Sequence, residues 1–453
     1  MIVRTRGLVV PLALLLMAAA CAPSAGSVPS GTSPTAIATA SQPAATTATR
    51  PIGATPAPPV PASPTSPTVA RIAELEAAIA ADPGAADAQR DLGFALLQRI
   101  RETADPSLYG PAEAAFANAH RLAPDDAQVL VGIGGVRLGK HQFAEALASG
   151  RQAVALAPGL AAAHAVVVDA LVELGRYDEA TDAAGTMLGL SLDLTTLTRA
   201  SYLAEIRGEL PAALAALRMA VGSPGLAPEN IAFVDALIGN LLVYSGDAAG
   251  ATRAYDAALT LVPAHAPSLA GKARLAVGAG DLHGAISLFG RAADIVPLPE
   301  YVIALGEAQS AAGKADDAAR SFKLARAEID LFQASGVGVD LDLALFEADH
   351  GDPARALAFA EEAYTATPTI RAADALGWAL HRLGRHREAK ARADEALRLG
   401  SKEPLLHYHA GAIAAALGDA TAARRELELA LATDPGFSAT GAAEAAGILA
   451  RLP

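Results

Sequence analysis

Cysteine is all but absent: the 453 residues hold one, Cys21, so no intramolecular disulfide framework is possible. Aromatic residues make up only 4% of the chain, although hydrophobic residues make up 52%. A sheet core, which favours β-branched and aromatic side chains, is poorly supplied by that mixture. Closely packed helices built on alanine and leucine are well supplied. Positive charge is also short, with 35 Lys and Arg against 48 Asp and Glu and a formal net charge of −13. That balance argues against a surface that grips nucleic acid or anionic lipid through basic side chains. The length exceeds one ordinary core and points to several domains or a repeat array.

The chain opens with Arg4 and Arg6, followed by an apolar run from Leu8 to Ala20 broken only by Pro11. A basic stretch before a short apolar one predicts a signal peptide over residues 1–20. The run is short for a membrane span, which needs roughly 20 apolar residues. It ends Leu16-Met17-Ala18-Ala19-Ala20-Cys21. This junction resembles the lipobox of bacterial lipoprotein signals, in which the cysteine is lipidated and the chain is cut just before it. Ala18 stands where that family more often has leucine. The resemblance implies lipidation at Cys21 and a lipid-anchored, extracytoplasmic place in the bacterial cell envelope. Ordinary secretion with cleavage after Ala20 is the alternative. Ala22 follows the cysteine, so no aspartate is there to signal inner-membrane retention. Residues 21–68 are nearly all Ala, Pro, Ser, Thr and Gly, too poor in large apolar side chains to offset their ordering entropy. A disordered tether is expected, biased by its prolines toward about 3.1 Å per residue.

Beyond the tether the sequence repeats. Gly175, Gly208, Gly246, Gly280, Gly313, Gly351, Gly384 and Gly418 recur at close to 34 residues, with longer steps before Gly246 and Gly351. Five residues after each comes an alanine: Ala180, Ala213, Ala251, Ala285, Ala318, Ala356, Ala389 and Ala423. Seven further on come Met187, Ala220, Ala258, Ala292, Ala325, Ala363, Ala396 and Ala430. Glycine suits the reversal at the end of a first helix. Small residues two turns apart on a second helix let neighbours approach closely. Prolines such as Pro158, Pro263, Pro297, Pro368 and Pro435 stop that helix.

Segments such as Glu173-Leu174-Gly175-Arg176-Tyr177-Asp178-Glu179-Ala180 and Arg382-Leu383-Gly384-Arg385-His386-Arg387-Glu388-Ala389 resemble the tetratricopeptide repeat family at its helix–turn–helix junction. The resemblance covers about Ala70 to Phe437. It implies an all-α fold, a right-handed superhelical solenoid of about ten helix–turn–helix units spanning 69–453. The units are placed near 86–126, 127–160, 161–193, 194–227, 232–265, 266–298, 299–332, 337–369, 370–403 and 404–437. The cap covers 438–453, with Ala439 to Leu452 as a helix that hides the last apolar face. Arg71 to Asp82 is expected to be the second helix of a partial leading unit, and Leu331 to Val339 a longer connection.

Chemistry-bearing motifs are weak. Gly134-Gly135-Val136-Arg137-Leu138-Gly139-Lys140 fits the opening of a phosphate-binding loop, but His141 replaces the required Ser or Thr and no strand precedes it. His407 and His409 point to different sides of a helix, and His381 and His386 straddle a turn, so no metal set is expected. No nucleophile elbow is present. Paired acids such as Asp316-Asp317 fall on predicted solvent faces. The expectation is a protein without catalytic residues, metal or cofactor.

By the same resemblance, first helices line a concave groove and the ninth residue of each unit faces into it. This selects Asp169, Tyr202, Asn240, Arg274, Glu307, Leu345, Trp378 and Ala412, with Glu205, Tyr244, His381 and Tyr408 nearby. Aromatic and arginine side chains are the favoured anchors of a protein contact, which makes Tyr202, Asn240, Arg274, Trp378, His381 and Tyr408 the candidate partner-binding residues. Trp378 has a second reading, as core between helices. The lysine and second asparagine used by the family's carboxylate-binding members are missing. The expected function is a non-catalytic scaffold or assembly factor that binds an unidentified protein or peptide and is tethered to a membrane through Cys21. An accessory protein that binds cell-wall glycan, or another solute, in the groove is the rival, disfavoured by the few aromatic rings. An enzyme of unrecognised type is the second rival, with no motif in its support.

Overall fold

A computed structural model of the chain describes residues 67–223 and 225–453. The expected signal peptide, Cys21 and the expected tether as far as residue 66 lie outside the described residues. Residues 67 and 68, expected at the end of the tether, instead open the first helix, α1 (Pro67–Ala81). Proline fits there because the first N–H groups of a helix have no intrahelical partner.

Among the described residues the regular structure is helical. Ten hairpins follow α1: α2 (Ala86–Thr103) with α3 (Tyr109–Leu122), α4 (Ala127–Gly139) with α5 (Phe143–Leu156), α6 (Ala161–Glu173) with α7 (Tyr177–Leu190), α8 (Leu194–Glu205) with α9 (Leu210–Val221), and α10 (Pro228–Tyr244) with α11 (Ala248–Leu261). The array continues with α12 (Ala266–Gly278) and α13 (Leu282–Ile295), α14 (Pro299–Ala311) and α15 (Ala315–Ala334), α16 (Asp340–His350) and α17 (Pro353–Ala366), α18 (Ile370–Arg382) and α19 (His386–Ala396), and α20 (Pro404–Ala416) and α21 (Ala420–Thr433). A last helix, α22 (Ala439–Arg451), closes the array. It is an all-α solenoid. Two sequence expectations need correcting. Helix α10 begins four residues ahead of its expected unit, where Pro228 again supplies the first helical position. The connection after Leu331 is shorter than expected, because α15 runs on to Ala334.

The alanine ladder explains the spacing of the helices. Ala213, Ala251, Ala285, Ala356, Ala389 and Ala423 are fully buried, as are Met187, Ala220, Ala258, Ala292, Ala325, Ala363, Ala396 and Ala430. First helices contribute the complementary notches. A Cβ at Gly93 would lie 2.6 Å from the Phe116 ring, and one at Gly132 would overlap it, so the ring of α3 fills a slot shared by α2 and α4. Tyr255 of α11 sits likewise between Gly239 of α10 and Gly271 of α12. The aspartates that follow turn glycines cap the second helices: Asp247 accepts the Gly250 N–H at 2.7 Å and Asp281 the Gly284 N–H at 2.8 Å. Gly351 departs from the pattern. Its φ is −138°, so this turn does not use the left-handed conformation, and Glu347 accepts the Asp352 N–H at 2.9 Å instead.

The array coils until its later hairpins meet its earlier ones. His141, at the α4–α5 turn, places Nδ1 2.6 Å from the Gly338 carbonyl oxygen, 197 residues along the chain. The Ile370 N–H donates to the Tyr177 hydroxyl at 3.0 Å. A Cβ at Gly175 would lie 2.7 Å from the Pro368 carbonyl oxygen, and one at Gly208 would collide with that of Gly400. One apolar cluster runs from Leu130, Val167 and Leu171 through Tyr177 to Ile370, Ala373 and Leu406. These contacts form a seam in which the hairpin turns of the second, third and fourth units meet the loops ahead of the eighth, ninth and tenth.

Candidate functional site

Because second helices face outward with their alanines against neighbours, the inner face is left to the first helices. It is polar. Glu173 of α6, Tyr202 and Glu205 of α8, Tyr244 of α10, Arg274 of α12, Glu300 of α14, Asp342 of α16 and Arg371 of α18 act on one another electrostatically across it. Arg371 pairs with Glu403, just ahead of α20, at 3.1 Å. Arg274 donates to the Asn240 side-chain oxygen at 2.6 Å, which also accepts from the Tyr255 hydroxyl at 2.8 Å.

Several of these groups are incompletely satisfied. Glu173 Oε1, Arg274 Nε and Arg371 Nε are buried without a hydrogen-bond partner. Glu173, Tyr202, Ile370 and Arg371 surround a void of about 10 Å³, the room taken by about one water. Burial pushes the Glu173 carboxyl up to about 8, against the pull of Arg371 and with the help of Asp169. Burial also lifts Glu205 to about 7, opposed by Arg371, and Asp342 to about 7, with Glu300 adding to it. Burial alone would make Arg371 easier to deprotonate, but Glu403, Tyr202, Tyr244 and Glu205 more than reverse that. Glu300 is reached by solvent even though the surrounding protein raises it too. The inner face is therefore richer in carboxylates than in cations.

The six sequence candidates divide into two groups. Tyr202, Asn240 and Arg274 belong to this polar face. Trp378, His381 and Tyr408 form a separate packed cluster. Trp378 is fully buried and its indole N–H donates to Asp349 at 2.7 Å. Its ring stacks on His409 at 4.1 Å and on His381 at 5.0 Å, and Tyr408 lies 5.3 Å away. His409 Nδ1 is 2.8 Å from Asp374. The groove expectation for Trp378 and Tyr408 is thus corrected: α16 and α20 close over α18, and both side chains are core. His381 is half-buried, and burial first, then His386, lowers its pKa to about 4. Asp169 is also buried, in a two-point pair with Arg199 at 2.8 and 2.6 Å. Burial favours the neutral acid, but that geometry belongs to an ionised pair held by Arg199.

Sequence reasoning missed Glu173, Glu300, Asp342, Arg371 and Glu403. The signal was available in part: Glu173 is four residues after Asp169 and so shares its helix face. Glu300 and Arg371 each stand second in a first helix. Among the described residues no group of three His, Cys, Asp or Glu is placed to hold a metal ion, and no helix is long and apolar enough to cross a membrane. An open depression of about 650 Å³ beside α21 and Pro453 lies away from both clusters.

The tetratricopeptide repeat family matches the chain at residues 237–298 and 375–436, and these two stretches are repeats of that kind. No curated protein matches. Among solved structures, the human IFIT1 dimer with PPP-AAAA is 16% identical, covers 70% of this chain and 73% of its own, and has a TM-score of 0.46. PilW, described as a type IV pilus biogenesis factor, is 18% identical over 46% of this chain and 97% of its own, with a TM-score of 0.38. Pseudomonas aeruginosa pilF is 17% identical over 46% and 95%, with a TM-score of 0.37.

Proposed function

We propose that the chain is a non-catalytic scaffold or assembly factor that receives a protein or peptide segment against the inner face of its solenoid. In this reading it is held at the extracytoplasmic side of a bacterial envelope membrane by a lipid on Cys21. The supporting observation is the state of the inner face. Glu205, Arg274 and Arg371 keep part of their surface open and Glu300 is exposed, so these polar groups are left within a partner's reach. Groups held apart in this way gain from a partner that supplies both donors and acceptors, as a peptide backbone with polar side chains does. Tyr202 and Tyr244, each half-buried, offer flat, stiff contact area beside them. The carboxylate excess disfavours a polyanionic partner.

The test is a crosslinking pulldown from the native envelope with the intact chain and with Glu205→Gln and Arg371→Ala variants. Circular dichroism would check that each variant keeps its helices. The expected result is loss of at least one specific protein partner in both variants. An unchanged partner set rejects the inner face as the binding surface. Membrane fractionation of a Cys21→Ser variant tests the anchor separately, with release into the soluble fraction as the expected outcome.

A further inference from the structure

Five first helices, α6, α10, α14, α16 and α20, contain no Lys or Arg. The cations that their neighbours bring to this side are already engaged. Arg199 of α8 is spent on Asp169, Lys272 of α12 on Asp256 and Arg371 of α18 on Glu403, while Arg274 of α12 donates to the Asn240 side chain. Glu205, Glu300 and Asp342 are left without an ion pair among the described residues. Second helices are built the other way, with a cation three or four places from many of their acids. Glu179 pairs with Arg176 at 2.6 Å, Glu388 with Arg385 at 2.7 Å and Asp394 with Lys390 at 2.7 Å.

The three unpaired acids share one field. Glu205 and Glu300 act on the same two arginines, Arg274 and Arg371, and Glu300 acts in turn on Asp342. All three can be reached, since Glu300 is exposed and Glu205 and Asp342 are half-buried. Beneath them lies a fourth acid, Glu173, which is only 7% exposed. Its Oε1 has no donor and borders the void that Glu173 lines with Tyr202 and Arg371. Negative charge thus goes unanswered both at the open acids and below the surface. A carboxylate partly withdrawn from water gains more from a counter-charge than one bathed in it.

We propose that the segment received by the inner face carries lysine or arginine side chains, whose charges seat against Glu205, Glu300 and Asp342. The inference rests on the inner-face reading of function and adds to it the sign of the partner. The argument is charge complementarity: the face supplies acids and lacks the cations that the outer surface has. Tyr202 and Tyr244, half-buried on the same face, suit such side chains. Their rings can cover an aliphatic stem or take a cation against the π face. A bare metal ion fits this face less well, because among the described residues no three acid or histidine groups converge to hold one.

The experiment uses the full chain and two labelled probes, decalysine and decaglutamate, with binding read by fluorescence anisotropy at fixed salt. Decalysine should bind, and decaglutamate should not. Glu300→Gln with Asp342→Asn should weaken decalysine at least about tenfold, because it removes two charges from the contact itself. Glu361→Gln with Glu362→Gln removes the same charge from exposed sites of α17 and should leave the affinity unchanged. Glu300→Lys with Asp342→Lys should reverse the preference and take up decaglutamate, a gain that a damaged fold would not give. Equal affinity for the two probes overturns the proposal. So does an outer pair that matters as much as the inner one, which would mark attraction by net charge alone. A partner lost in the pulldown with Glu205→Gln, from a chain that does not favour decalysine, would keep the inner face as the binding surface and reject its basic partner.

Discussion

The Tyr177 hydroxyl accepts the backbone N–H of Ile370 at 3.0 Å, joining two residues 193 positions apart. Ile370 opens α18, where the first N–H groups have no helical acceptor, and Arg398 lies over the Tyr177 ring at 5.3 Å. Tyr177→Phe keeps the ring and removes the acceptor, leaving a buried N–H unsatisfied. The expected cost is about 1–3 kcal/mol. Hydrogen exchange should show the Ile370 amide losing protection before the amides within α18 do.

Gly208 and Gly280 share a left-handed backbone, with φ of 71° and 77°, but differ in surroundings. Gly280→Ala meets open space and should cost only the conformational penalty of about 1–2 kcal/mol. Gly208→Ala adds a collision with the Gly400 carbonyl, so its melting temperature should fall further. Its solution scattering should also show a larger radius of gyration, a change Gly280→Ala should not produce.

Asp169 and Arg199 form a deeply buried ion pair, with side chains 3% and 2% exposed. Removing one partner leaves the other charge buried, so Asp169→Ala or Arg199→Ala should destabilise by about 3–5 kcal/mol. The Asp169→Leu, Arg199→Met double variant should recover much of that loss. Denaturant unfolding of the three proteins measures the difference directly.

Glu173 gives a pH dependence with a definite sign. Its pKa rises from 4.5 to about 8 on folding, mainly through burial. The folded chain therefore binds the proton more tightly than the unfolded chain between those values, and stability falls as pH rises across that window. Below about 4.5 the penalty vanishes, and above about 8 it is complete. Glu173→Gln should flatten this part of the profile of melting temperature against pH, and its gain over the wild type should be greatest at the alkaline end.

The local parts of the fold were legible because their causes are local. An alanine at a fixed distance past each turn glycine reports a close helix contact within one hairpin or with its neighbour, and those alanines are buried. The seam was not legible. Its contacts are made largely by backbone oxygens of Gly338, Pro368 and Gly400, which every residue type possesses, and by partners nearly two hundred residues away. The same closure explains Trp378. Its helix face was assigned inward, but neighbouring first helices and His381 and His409 fill that space, so inward here means core. A partner study using Trp378→Ala would report damage to packing, with a cost of about 3–5 kcal/mol, before it reported on binding. Arg371 escaped notice for the opposite reason: it lies at a helix start, outside the register that picks the ninth residue, and only the coiling brings it opposite Glu173 and Glu205.

The clasp between early and late hairpins also gives the molecule an uncommon mechanical character. A solenoid whose units touch only their neighbours stretches like a soft coil, yielding a little at every joint. Here Tyr177, His141 and Gly208 fasten one winding to the next, so a gentle pull on the two ends meets a stiff body. Extension should begin with a single abrupt release as the windings part, and the compliant coil should show itself only afterwards.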